Sequence, residues 1–300
     1  MSILFTNEIY NAIINELTQA EKSVQIITAY CKENTFQHFL SAINTSITDK
    51  RLMIRFRMDD VVKGSSDFDV LKLALADGWK VFIRFDLHAK TYIVDNKRGI
   101  VGSANLTGSG LGVGRAGSME MAAFVDVDSG DIEKINRLYE DAVEVDDALI
   151  TKMNKQLENV DRSIEGVAYK WDKSISDMFN PHIDTLFSYE LPDDFVIENG
   201  QYFAFMDEMF NGDIAALKEA FRWSNSYNWL LTVLRENGNC MYFGELTAKL
   251  HDALVSDPKP YRRDVKQMLS NLLKLIETLG MEEIIIDRPN YSQRVRLLES

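Results

Sequence analysis

Over the first 130 positions, short stretches of alternating apolar and polar residues are interleaved with stretches of helical period. Residues 22–29 (KSVQIITA) read as a strand, and 51–57 (RLMIRFR) as another, with Leu52, Ile54 and Phe56 on one side and Arg51, Arg55 and Arg57 on the other. Helical spacing predicts helices over 35–47 and over 66–75, the second entered through Ser66 and Asp69. Residues 80–85, 89–94, 99–102 and 119–127 read as further strands, the first two of them separated by Asp86, Leu87 and His88. This interleaving predicts a mixed α/β domain over 1–150. An acidic, largely helical and irregular connector follows over 151–212. Three helices, 215–236, 243–251 and 261–279, then precede two strands, 282–287 and 294–298. That order is the order of a winged-helix-like α+β domain, expected over 213–300.

Composition adds little to this picture. Apolar residues at 46% and charged residues at 26% fit an ordinary globular protein and exclude a disordered or fibrous one. No apolar run approaches the ~18 residues of a membrane span. The first charge is Glu8, with no basic stretch before an apolar run, so a cytoplasmic protein without membrane contact is expected. Cys31 and Cys240 lie far apart in no metal-ligand spacing and are expected as free thiols.

Charge does change the picture. The formal net charge of −13 argues against a nucleic-acid partner until it is divided along the chain. Residues 1–124 hold 14 Lys and Arg against 13 Asp and Glu, and residues 216–300 hold 12 against 11. Residues 125–215 hold 7 against 22, so the acidity belongs to one middle segment. That segment is a solvated helical surface or the docking face for a basic protein partner. Either way, the flanks remain open to a phosphate-bearing substrate.

The chemistry is concentrated in residues 87–111, LHAKTYIVDNKRGIVGSANLTGSGL. In a strand, His88 and Lys90 point to the same face, ~7 Å apart. Asp95-Asn96-Lys97-Arg98 is a turn signal; with Asn96-Lys97 as a two-residue loop, His88 falls opposite Asn105 and Lys90 opposite Ser103. Imidazole, ammonium, hydroxyl and amide then converge. Lys90 supplies fixed positive charge for a phosphate, Ser103 and Asn105 donate to its oxygens, and His88 attacks phosphorus or moves a proton. Asp95 has the opposite parity and is expected in a structural hydrogen bond. No metal cage is evident, and neither metal nor cofactor is expected.

The string His88-x-Lys90-x4-Asp95-x6-Gly102-Ser103-x-Asn105 resembles the HKD motif of the phospholipase D superfamily. With Leu106-Thr107 and Gly110-Leu111 it looks most like the single-motif, nuclease-type members, some of them restriction endonucleases and prokaryotic defence proteins. The resemblance covers roughly 1–130 and implies a PLD-like mixed-sheet sandwich. It also implies two motif histidines, one forming a phosphohistidine and the other protonating the leaving oxygen and then activating water. The other histidines, His38, His182 and His251, are not followed by x-Lys. The second half-site is therefore expected from a second copy in a homodimer. The family places an acidic residue on the strand after the motif; Glu120 occupies that place as the orienter of His88, with Asp126 and Asp128 as lesser candidates.

Substrate-side candidates are Arg55 and Arg57 at a strand end, Thr107, and Arg115 in the loop 107–117. Arg55 and Arg57 fit a solvated polar face equally well. Residues 112–117 match G-x-G-x-x-G, but a strand rather than a helix is predicted after them, which excludes a dinucleotide fingerprint. In the last helix, Arg263, Lys266, Gln267 and Lys274 lie off the apolar stripe, and Arg288, Arg294 and Arg296 lie on the expected wing. These are DNA-contact candidates, although such modules also dock proteins. The resulting expectation is a metal-independent phosphodiesterase, foremost a DNA-cleaving nuclease. The alternatives are a phospholipid or small phosphodiester hydrolase and a catalytically silent regulator.

Overall fold

The computed structural model describes residues 3–114, 118–160, 169–176, 178–179 and 181–298. The chain divides into two compact units, Met1–Asn180 and Pro181–Ser300. In the first, the elements run β1 (Ile3–Phe5), α1 (Thr6–Thr18), β2 (Ser23–Thr28), α2 (Glu33–Ala42), β3 (Asp49–Ile54), α3 (Met58–Val62), α4 (Asp69–Ala76) and β4 (Lys80–Ile83). They continue through β5 (Thr91–Val94), β6 (Arg98–Gly102), α5 (Gly108–Leu111), β7 (Met121–Asp126), α6 (Ser129–Glu140), β8 (Val143–Glu144), α7 (Asp147–Glu158) and α8 (Lys173–Ser176).

All eight strands of this unit form one mixed sheet in the order β1-β7-β6-β5-β2-β3-β4-β8. β2, β3 and β4 are parallel neighbours, joined by crossovers that carry α2 and α4. The remaining pairings are antiparallel. One face is buried by α1 through Ile9, Ile13 and Leu17, by α2 through Phe36 and Phe39, and by α4 through Val70, Leu71 and Ala74. Leu149, Met153 and Leu157 of α7, with Trp171, Ile175 and Phe179 beyond it, join the same core.

The opposite face is covered unevenly. Paired residues share a face, so one row runs across the sheet as Ile3, Ala123, Val101, Thr91, Ile27, Met53 and Phe82. At its far end, Ile27, Met53 and Phe82 pack under Tyr139 and Ile135 of α6. At its near end Ile3 is 60% exposed and Val101 43%, and in the adjoining row Phe5 is 50% and Met121 49%. An apolar strip over β1, β7 and β6 is therefore left open.

The second unit contains β9 (Tyr202–Phe203), β10 (Glu208–Met209), α9 (Ile214–Arg222), α10 (Asn225–Glu236), β11 (Cys240–Tyr242), α11 (Phe243–Ala253), α12 (Arg262–Leu279), β12 (Ile284–Asp287) and β13 (Arg294–Leu297). β11 and β12 flank β13 in an antiparallel three-stranded sheet. Val265, Leu269, Leu272, Ile276 and Leu279 of α12 pack on Trp229, Leu230 and Leu234 of α10. The stretch 151–212, expected as a connector, is shared between the units. Leu157, Trp171, Ile175 and Phe179 belong to the first core, and Leu186, Leu191, Phe203 and Phe210 to the second.

Three element boundaries differ from the sequence reading. β3 ends at Ile54, because Arg55 turns inward to a buried carboxylate. The helix expected over 215–236 is two helices, because the Ser224 hydroxyl accepts from Tyr227 N–H and caps a new start. β5 begins at Thr91, so His88 and Lys90 lie on the chain ahead of it. No helix among the described residues is long and apolar enough to cross a membrane.

Candidate active site

The β5–β6 hairpin sets the geometry. Val94 pairs with Arg98, so three residues, Asp95, Asn96 and Lys97, form the loop. This corrects the two-residue loop read from the sequence. Asp95 and Asn96 take the left-handed backbone conformation (φ 56° and 55°), and Lys97 N–H closes on Val94 O at 3.2 Å. The cause is remote. The Asp95 carboxylate accepts from the N–H groups of Glu21 (3.1 Å), Lys22 (2.7 Å) and Ser23 (3.0 Å), which clamps the turn to the chain entering β2. The register shifts by one: Gly102, not Ser103, bonds back to Lys90, with Gly102 N–H donating to Lys90 O at 3.2 Å. His88 is therefore not opposite Asn105.

The Lys90 side chain is buried, and its ammonium lies 3.2 Å from Nδ1 and 3.3 Å from Nε2 of the exposed His88 ring. It also donates to the His88 carbonyl at 2.6 Å, which ties the segment between the two. The Lys90 charge, then desolvation and the more distant Arg55, lower the His88 pKa from the usual histidine value. Lys90 is itself lowered by burial and by Arg55, against an opposing pull from Glu120.

Asn105 and Ser103 are held differently. Asn105 Oδ1 accepts from Tyr30 N–H at 3.0 Å and from Thr28 Oγ1 at 3.4 Å. Its amide NH2 is then the end left for a ligand oxygen. Ser103 Oγ donates to the Glu120 carboxylate and accepts from Met121 N–H at 3.1 Å. Glu120 thus binds Ser103 and stands within electrostatic reach of Lys90. Within one chain the His88 ring faces Lys90, and Glu120 binds Ser103.

Arg55 is not free for substrate. Its guanidinium binds Asp60 through Nε (2.9 Å) and Nη2 (2.7 Å), contacts the Tyr30 hydroxyl, and lies 4.7 Å from the Tyr30 ring centroid. Arg57 Nε donates to Phe85 O at 2.7 Å. Thr107 Oγ1 accepts from Gly110 N–H at 3.0 Å and caps α5. Arg115 lies outside the described residues.

Beside Asn105 and Glu120 a cleft of about 750 Å³ opens between α2 and the loop leading into α5. Its wall includes His38. The side chain is exposed, with Nδ1 3.5 Å from the Tyr10 hydroxyl. The spacing of His38 from the motif carried no signal for this position; only the packing of α2 brings it there.

In the second unit, Arg263, Lys266 and Arg288 are exposed. The other basic-face candidates are engaged within the unit. Gln267 donates to Asn271 (2.9 Å), Lys274 lies 4.3 Å over the Phe195 ring, and Arg294 and Arg296 both bind Asp287 (2.8 and 2.9 Å). Those two arginines hold the Asp287 carboxyl down at about 2. Among the described residues, a grouping of possible metal-ligand side chains lies in this unit, where His182 Nε2 is 2.7 Å from Asp184 and 3.8 Å from Glu236, all exposed. Cys31 is buried in the first unit and Cys240 exposed in the second, both as free thiols.

No curated protein matches the chain. Among solved structures it is similar to Nuc, a phospholipase D family member from Salmonella typhimurium, at 14% identity over 48% of this chain and 96% of that one (TM-score 0.39). It is also similar to NucT from Helicobacter pylori (17% identity, 48% and 98%, TM-score 0.37). A third is phosphatidylserine synthase from Haemophilus influenzae (15% identity, 52% and 45%, TM-score 0.36). Residues 13–146 match the family model described as "Cardiolipin synthase, PLD-like domain". That match spans β2 to β8 of the eight-stranded sheet, so the first unit holds a PLD-like domain.

Proposed function

We propose that the chain is a phosphodiesterase that cleaves nucleic acid without a metal ion, working as a homodimer. The observation that carries this reading is the His88–Lys90 pair. A buried ammonium 3.2 Å from an exposed imidazole both attracts a phosphate and disfavours protonation of the ring, so a neutral nucleophile meets the anion it is to attack. Asn105 offers its NH2 to a non-bridging oxygen.

In the first step the His88 ring nitrogen forms a bond to phosphorus and the ester P–O bond breaks. The leaving oxygen takes a proton from a second imidazole. In the second step that imidazole removes a proton from water, the water oxygen bonds to phosphorus, and the P–N bond breaks. The described chain has one His-x-Lys pair, so the second imidazole is His88 of a second copy. The open apolar strip of Ile3, Phe5, Val101 and Met121 supports this. It adjoins Ser103, which follows the exposed end of β6 and bonds to Glu120. A twofold partner seated on the strip brings two sites together.

The order α10, β11, α11, α12, β12, β13, with β13 central, supports a winged-helix reading of the second unit. Arg263, Lys266 and Arg288 remain as its contact groups for nucleic acid or a protein.

The test uses the full chain in EDTA with plasmid, oligonucleotide and phosphatidylcholine vesicles. Cleavage of nucleic acid, abolished by His88→Ala, supports the proposal. Cleavage of the vesicles alone overturns the substrate. A fully active monomer in the ultracentrifuge overturns the shared site.

A further inference from the structure

We infer that the cleft beside Asn105 and Glu120 receives a single unstacked nucleotide next to the scissile phosphate, which makes single-stranded nucleic acid the preferred substrate. This rests on the nuclease reading above and deepens it.

The cleft measures about 750 Å³ and is partly open to solvent, roomy enough for a base with its sugar. It begins at the phosphate-side groups themselves, because Asn105 and Glu120 form part of its wall. The wall also includes Tyr30, bonded to Asn105, and Asn34, Gln37 and His38. These are a phenol, two amides and an imidazole, and they suit a heterocycle edged with donors and acceptors better than an acyl chain.

Each polar group has capacity to spare. Gln37 spends Nε2 on Glu33 at 2.9 Å, which leaves its carbonyl oxygen as an acceptor. His38 turns Nδ1 toward Tyr10 at 3.5 Å, which leaves Nε2 for a base edge. The Asn34 side chain is exposed and brings both a donor and an acceptor. Donors and acceptors around an aromatic wall are what reading the edge of an extruded base requires.

The geometry carries a consequence for strandedness. A base in a duplex is stacked and paired, and it reaches a concave site only by leaving the stack, at a cost that a single strand does not bear. A phosphodiester backbone lying on an open surface would need no such extrusion.

The experiment compares one sequence presented as a single strand, as a perfect hairpin duplex and as the same duplex with one bulged nucleotide. Bis(p-nitrophenyl) phosphate serves as the generic ester. The single strand and the bulge are expected to be cut at least about tenfold faster than the perfect duplex. An abasic residue walked along a labelled single strand is expected to suppress, by about tenfold, the one cut adjacent to it. His38→Ala and Asn34→Ala are expected to raise KM for the oligonucleotide with little change in kcat, and to lower its kcat/KM relative to that for the generic ester. Equal rates on single strand and duplex with a flat abasic scan overturn the inference and leave the nuclease reading standing. Cleavage of the generic ester with no cleavage of any oligonucleotide overturns the nuclease reading and this inference with it.

Discussion

Gly110 is the position at which one added methyl group separates positioning from stability. A Cβ built there lies 2.7 Å from the backbone oxygen of Asn105, 2.9 Å from its nitrogen and 3.2 Å from Thr107 Oγ1. The first two contacts set the new Cβ, which has no rotatable bond before it, against backbone atoms, so no side-chain rotation relieves them. Restoring van der Waals distance requires a shift of at least about half an ångström, and the movable partner is the segment that carries Asn105. Overpacking of this kind costs about 1–3 kcal/mol. The chemical effect is larger, because misplacing a reacting group by ~1 Å costs on the order of a hundredfold, so half of that predicts roughly a tenfold loss in kcat. Gly78→Ala is the matched control. Gly78 has φ +78° and nothing within 4 Å, so its methyl adds only backbone strain of about 1–2 kcal/mol. The assay is kcat on bis(p-nitrophenyl) phosphate alongside thermal melting of both variants. Gly78→Ala is expected to melt earlier with kcat intact, and Gly110→Ala to lose both. A Gly110→Ala protein with full kcat and a melting shift like that of Gly78→Ala refutes the role given to Asn105.

Three further variants test separate links. Arg55→Met strands Asp60, whose side chain is 7% exposed, and is expected to cost about 3–5 kcal/mol in urea unfolding. Adding Asp60→Asn should recover part of that loss, and a cost under about 1 kcal/mol would mean the pair behaves as a surface ion pair. Lys90→Gln removes the charge that lowers His88, so the ring keeps its proton to higher pH. The acid limb of kcat/KM in the residual activity should move upward, and an unmoved limb contradicts the neutral-nucleophile scheme. Asp95→Ala removes the acceptor of three backbone N–H groups and is expected to cost about 1–3 kcal/mol near neutral pH. Burial opposes ionisation of Asp95, but those N–H groups outweigh it and hold its pKa below the usual carboxylate value. The stabilisation is therefore complete above about pH 4 and is lost as pH falls through the depressed folded value. Melting temperatures that converge for wild type and variant toward pH 2 are the expected result, and a constant gap would sink it.

The alternation over 51–57 placed Leu52, Ile54 and Phe56 inward correctly, because the period of a half-buried strand is local information. The same alternation gave no sign that Arg55 leaves the solvent, since its partner Asp60 is on α3 and its second contact, Tyr30, is beyond β2. The hairpin between β5 and β6 was visible in Asp95-Asn96-Lys97-Arg98, but its loop length was not. That length depends on N–H groups more than seventy residues upstream, and a one-residue change in it moves every pairing. The helix break at Ser224 was hidden by apolar spacing that continues through it, with Leu217 and Phe221 before and Tyr227 and Leu231 after. Basic residues were easy to count along the second unit, yet their availability was not, because Asp287 takes two of them at once. His38 shows the same limit from the other side, a residue with no local motif that tertiary packing sets into the cleft wall.

Much of the chemistry gathers at one edge of the sheet for a reason built into its topology. In an open α/β sheet the carboxyl ends of parallel strands face a crevice that no crossover fills. Tyr30 follows β2, Arg55 follows β3, and His88 lies on the chain that leaves β4. The antiparallel β5–β6 hairpin returns Asn105 to that same edge. It is tied there by Tyr30 N–H to Asn105 Oδ1, by Leu106 N–H to Thr28 Oγ1 and by Lys32 N–H to Leu106 O. Tyr30 is the junction of this arrangement: its backbone orients the Asn105 amide, its hydroxyl meets Arg55, and its side forms part of the cleft. A guanidinium so restrained contributes charge without occupying the phosphate position. It weakens proton binding at both Lys90 and His88, and an anion bound beside them would relieve that positive field.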